Sequence, residues 1–128
     1  MTIEIAERES FRGQFGPDQV EIYFRRPSAK EMVRYLAQSL SCRGNQSLES
    51  VLEAGMELAC ACLLGIREGD IALIENGARI PLVTDPDRPG YLANWKELLK
   101  ARLPGLLLML GNHLVKLTHS ELEVREKN

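Results

Sequence analysis

The chain has only three cysteines, Cys42, Cys60 and Cys62, in 128 residues. The count is odd, and Cys60 and Cys62 stand too close for comfortable disulfide geometry. A disulfide-stapled scaffold is excluded, and reduced thiols in a cytoplasmic protein are expected. An excess of basic charge is also missing. Sixteen Lys and Arg against eighteen Asp and Glu leave a formal net charge of −2, so no global basic field holds nucleic acid. The apolar run from Leu103 to Leu117 is too short to span a bilayer, which takes roughly 17–25 apolar residues. The first residues, Met1 to Glu9, are charged throughout and lack an apolar core, so they do not read as a secretory signal. Repeats and low-complexity segments are absent. No Gly-rich phosphate loop, GxSxG, HExxH or zinc-ligand spacing occurs. The sequence assigns no catalytic residue, no cofactor and no metal, and the protein is not expected to be an enzyme.

What is present is an ordinary globular composition, 45% hydrophobic and 27% charged. A chain of this length buries roughly two-thirds of its unfolded surface, enough for a core without staples. The expected organisation is one α+β domain over residues 1–118, mostly helical with about four helices and a small antiparallel β part. Residues 119–128 read as a charged, fraying tail.

Thr2 to Ala6 alternates polar and apolar residues, as a half-buried strand does. Arg8 to Asp18 is polar and ends in the turn signal Gly16-Pro17-Asp18. Gln19 to Phe24 alternates again, with Val20, Ile22 and Phe24 on one face, so the two alternating segments are expected to pair as a long-looped hairpin. Ser28 and Glu31 form a capping box that opens a helix. That helix carries Met32, Val33, Leu36 and Leu40 on one side and Lys30, Arg34 and Gln38 opposite, and Gly44 offers it a left-handed exit. Ser47 is the next expected N-cap, with Glu49 in the first turn. Leu48, Val51, Leu52, Met56, Ala59 and Leu63 form the stripe of the most apolar helix, which Gly65 and Ile66 close.

Asn76-Gly77 between the apolar runs 71–74 and 78–83 is a strong hairpin signal. Pro81 demotes the second arm to an edge, and the first arm alternatively reads as a helix turn starting at Asp70. Asp85 to Gly90 is a proline-stiffened loop. A helix is expected from Tyr91 to Arg102, and Pro104 opens the last one. There Leu103, Leu106, Leu107, Leu110, Leu114 and Leu117 make one stripe, while Leu108, Met109 and Val115 lie off it. This last helix is therefore apolar on more than one side and needs a cover, from the domain or from a partner.

Three constellations bear on chemistry. Cys60 and Cys62 with His113 or His119 would be a metal set only if the two cysteines converged. On a helix, residues two apart point about 200° away from each other, so small apolar packing is the reading adopted. A cysteine nucleophile is disfavoured because Cys60 and Cys62 sit in the most apolar stretch, where a thiol pKa rises. Arg25 and Arg26 beside Tyr23 and Phe24 form a small basic-aromatic spot. It is read as a strand end whose arginines lie over the sheet rather than as a contact for RNA.

The junction Val20-Glu-Ile-Tyr-Phe-Arg-Arg-Pro-Ser28-Ala-Lys-Glu31, a strand running into a proline and a capping box, resembles the start of bacteriophage tail assembly chaperones. The loop Asp85 to Tyr91, followed by Trp95 and a leucine-rich helix, is compatible with that family. The resemblance implies a small, non-catalytic cytoplasmic protein of a bacterial host, encoded near the tape-measure protein. Members coat that long, aggregation-prone protein until the tail tube assembles. The partner would be a tape-measure-like protein or a second copy of the chain, with no nucleic acid and no membrane involved. Partner-binding candidates are Tyr91, Trp95, Leu108, Met109, Val115, Arg25 and Arg26. The alternative is a small homo-oligomeric structural or adaptor protein, whose second apolar face is simply a contact between copies.

Overall fold

A computed structural model describes residue 2, residues 6–40 and residues 45–127 of the chain. Among these the fold is α+β, with four helices and two small antiparallel sheets. The chain contacts divide into two compact units. One comprises Met1–Arg26 with Leu63–Arg102, and the other Pro27–Cys62 with Leu103–Asn128. The two units interleave along the chain.

The first unit holds both sheets. Strands β1 (Glu9–Phe15) and β2 (Asp18–Phe24) pair antiparallel from Glu9↔Phe24 to Phe15↔Asp18. Gly16 takes a φ of +59° in the two-residue turn, a conformation that costs glycine little. The hairpin is thus tight, and its first arm is the segment that reads as a polar loop. Phe11, Gly13 and Phe15 alternate with Ser10, Arg12 and Gln14, but glycine at the buried central position breaks the apolar signature. Of the expected strand at Thr2 to Ala6, residues 3–5 lie outside the described residues.

Strand β3 (Leu63–Ile66) adds antiparallel to the other edge of β2, giving the order β1-β2-β3. Its register shifts between Tyr23 and Phe24, because Phe24 faces Leu63 and Tyr23 faces Gly65 with Leu64 left between them. This segment was expected to end a helix; it is a strand entered without a loop. Val20, Ile22, Phe24, Leu63 and Ile66 are buried.

Strands β4 (Ala72–Glu75) and β5 (Ala78–Pro81) form the expected hairpin. Asn76 and Gly77 have φ of 51° and 79°, the double left-handed pattern that Asn-Gly tolerates. Pro81 closes β5 at the end of the pairing, where no ladder donor is lost. Beyond it Val83 bridges Tyr91 in parallel, and the Leu92 amide donates to the Val83 carbonyl at 3.1 Å. Tyr91 is therefore held in extended chain, and helix α3 starts only at Trp95, running to Arg102.

The second unit is helical. Helix α1 (Ala29–Leu40) opens on the expected capping box. The Glu31 amide donates to Ser28 Oγ at 3.2 Å, and the Ser28 amide donates to Glu31 Oε1 at 2.9 Å. The expected exit at Gly44 lies outside the described residues. Helix α2 (Asn45–Cys62) begins two residues before Ser47, so Ser47 is not its cap. Helix α4 (Pro104–Lys127) starts at the proline and continues past the expected end at Leu117. The stretch after Thr118 is charged, but it contains neither glycine nor proline, and Glu, Leu and Lys all favour helix.

Within this unit α2 packs against both α1 and α4. Leu106, Leu107, Leu110 and Leu114 of α4 are fully buried, as are Ala59 and Cys62 of α2, with Ala54 and Leu58 nearly so. Gly111 of α4 lies against the backbone of Gly55 in α2. A Cβ placed on Gly111 would stand 2.6 Å from the Gly55 carbonyl oxygen. The two helices cross at a point that has room for hydrogen alone on one side.

Candidate functional site

Part of the apolar stripe of α1 is left uncovered by its neighbours. Val33 is 66% exposed and Leu36 47%, and Ala29 and Ala37 on the same side are exposed as well. Met32, Tyr35 and Ser39 face inward and are only half-buried. None of the described α1 side chains is fully buried. Ser39 Oγ of this helix is shielded from solvent and has no hydrogen-bond partner among the described residues. An unsatisfied buried hydroxyl costs about 1–3 kcal/mol. Ser39→Ala is therefore expected to raise stability by about 0.5–1.5 kcal/mol, combining removal of that cost with a small propensity gain. Urea denaturation followed by far-UV circular dichroism reads the change.

Helix α2 continues the exposed surface. Leu48 is 66% exposed and Leu52, one turn later, 46%. Four residues separate the end of α1 from the start of α2, and helices joined by so short a link are antiparallel neighbours. Leu36 precedes the end of α1 by about one turn, and Leu48 follows the start of α2 by about one turn. Both therefore lie toward the same end of the helical pair. Val33, Leu36, Leu48 and Leu52 thus leave four large aliphatic side chains exposed on two helices that pack together.

The residues picked out from sequence fall differently. Trp95 is 6% exposed and belongs to the core of the sheet-bearing unit, so it offers no anchor at the surface. Tyr91, in the same unit, is 38% exposed. Leu108, Met109 and Val115 are half-buried on α4, in the helical unit. Large aliphatic side chains open to solvent are instead found on α1 and α2. Periodicity marks α1 as two-faced but carries no signal for which face is covered.

Arg25 and Arg26 are strand-end residues in structural use. Arg26 donates through Nε to Glu9 Oε2 at 2.7 Å and through Nη2 to Glu9 Oε1 at 3.2 Å. This two-pronged pair ties the open end of the β1–β2 hairpin together. Arg25 Nη1 donates to the Arg26 carbonyl at 3.3 Å.

Cys60 and Cys62 lie in the last turn of α2, the first half-buried and the second buried. Cys42 and the side chain of His119 are outside the described residues. Among the described residues no group of three or more His, Cys, Asp and Glu side chains is placed to hold a metal ion. No described helix is long and apolar enough to cross a membrane.

The architecture and surface define an α+β protein with an exposed aliphatic helix face. No protein-family model, curated protein or solved structure matches this chain.

Proposed function

We propose that the protein is a non-catalytic tail assembly chaperone of a phage or prophage, which binds an aggregation-prone, tape-measure-like protein through apolar helix surface. The observation that carries this reading is the exposure of Val33 and Leu36 on α1 and of Leu48 and Leu52 on α2. Aliphatic side chains in water on a helix pair are suited to an amphipathic partner helix, which inserts its own apolar residues at i, i+3, i+4 spacing. The weak hold on α1 fits the same role, because a partly covered helix adjusts to a partner at little cost. The junction from Val20 to Glu31, which resembles the family, leads directly into this helix.

The test is a double variant, Val33→Asp with Leu36→Asp. Both positions are exposed, so stability is expected to stay within about 0.5 kcal/mol of wild type. Co-expression with a tape-measure protein encoded beside this chain should give soluble partner with wild type and insoluble partner with the variant. A wild type that leaves the partner insoluble overturns the chaperone reading. A wild-type dimer in sedimentation that the variant dissolves, with no effect on the partner, assigns the face to contacts between copies instead.

A further inference from the structure

The sheet-bearing unit contains a cleft that the chaperone reading does not use. It encloses about 250 Å³ and is lined by Arg8, Tyr23, Ile66, Arg67, Thr84 and Arg88, with Val83 and two acidic residues, Glu68 and Asp85, completing its wall. Its floor is fixed. Thr84 Oγ1 accepts the Ile66 amide at 3.1 Å and donates to the Ile66 carbonyl at 3.4 Å. Gly65 leaves room for this clasp, because a Cβ there would lie 2.9 Å from Thr84 Oγ1.

The three guanidinium groups are not equivalent. Arg67 is occupied, with Nη2 3.0 Å from Asp70 Oδ1 and Nη1 3.9 Å from Glu21 Oε2. Arg88 pairs through Nε with Glu68 Oε2 at 3.1 Å, and the two side chains of this pair are both about half exposed. Such surface pairs contribute little and yield to competing ligands. Arg8 has its guanidinium carbon 3.9 Å above the Tyr23 ring centroid. It is in ion-pair contact with no carboxylate among the described residues. Stacking holds its plane while leaving its edge N–H donors available. The Tyr23 hydroxyl donates to Glu21 Oε2 at 3.1 Å. Burial first, and then this hydrogen bond, push its pKa above the usual tyrosine value.

We infer that this cleft binds an oxyanion, a phosphate or carboxylate group, between the guanidinium groups of Arg8 and Arg88. The volume is below the range of pockets that enclose whole drug-sized ligands, and it has room for an anionic group. A planar guanidinium presents paired donors that match either oxyanion. The inference is independent of the chaperone reading, since it concerns other residues and another chemistry.

Amide and arginine side-chain NMR spectra of the full chain, titrated at constant ionic strength, test it. Inorganic phosphate and acetate are the probes and chloride is the reference. Saturable shifts are expected at Ile66, Thr84 and the Arg8 and Arg88 Nε–H groups. Arg8→Gln and Arg88→Gln should each weaken the binding about tenfold, the equivalent of one charged hydrogen bond. Arg79→Gln, on β5 and outside the cleft, should leave it unchanged. Both cleft arginines are exposed, so the folded spectrum should persist, and if one variant loses it the other carries the test. Saturation by phosphate alone assigns a phosphate-bearing ligand, and saturation by acetate alone a carboxylate. Shifts that stay linear and match those in chloride, or that are the same in both arginine variants, overturn the proposal.

Discussion

Gly111→Val should lower the stability of the protein by about 2–3 kcal/mol, the upper part of the usual range for overpacking. The new Cβ would stand 2.6 Å from the Gly55 carbonyl oxygen and 3.1 Å from its carbonyl carbon. These are backbone atoms inside α2, so no flexible side chain can swing aside; the α2–α4 crossing itself must open. Valine has slightly better helix propensity than glycine, a few tenths of a kcal/mol, which offsets little of this. Gly55→Ala is the matched control. A Cβ on Gly55 meets nothing within 4 Å, so the substitution should stabilise α2 by about 0.5–1 kcal/mol through propensity alone. Urea denaturation of both variants decides the matter. Opposite signs at two glycines that touch each other would show that the crossing is asymmetric as described. Two losses of similar size would show that both positions are close-packed.

Phe24→Ala should be the most damaging single truncation in the sheet-bearing unit, with a loss of about 3–5 kcal/mol. Phe24 is 1% exposed and sits on β2, the central strand, opposite Glu9 on one side and Leu63 on the other. Truncation removes a whole ring from a site that paired strands on both sides keep from collapsing. Phe11→Ala provides the comparison. Phe11 belongs to the edge strand β1 and is only half-buried, so its loss should be clearly smaller. Denaturation midpoints of the two variants, with the β-sheet signal followed separately from helical ellipticity, test the ranking. Equal losses would mean that the edge strand bears as much of the core as the centre.

Several elements were legible in the sequence because their causes are local. The Ser28–Glu31 capping box needs only residues three apart, and both of its hydrogen bonds are present. Asn76-Gly77 sets its own left-handed turn regardless of the surroundings, and Pro104 opens α4 because it lacks the donor that a first helical turn does not need. The leucine stripe of α4 also follows from spacing alone. For the same reason the α+β class and the number of helices could be read without coordinates.

Other features depended on neighbours distant in sequence. Leu63 to Ile66 reads as the tail of an apolar helix, and only the open edge of β2 makes it a strand. Residues 9–15 read as a polar loop, because an edge strand tolerates polar side chains and Gly13 occupies its buried position. The outward turn of Val33 and Leu36 was invisible to periodicity. A stripe shows that a helix is two-faced, but which face the protein covers is set by where α2 lies. The arginine cleft is the extreme case, since Arg8, Tyr23, Thr84 and Arg88 meet only after two hairpins and a loop are folded. Short-range order in this chain is decided by backbone preference and spacing. Exposure and clustering are decided by which surfaces the tertiary fold leaves without a neighbour.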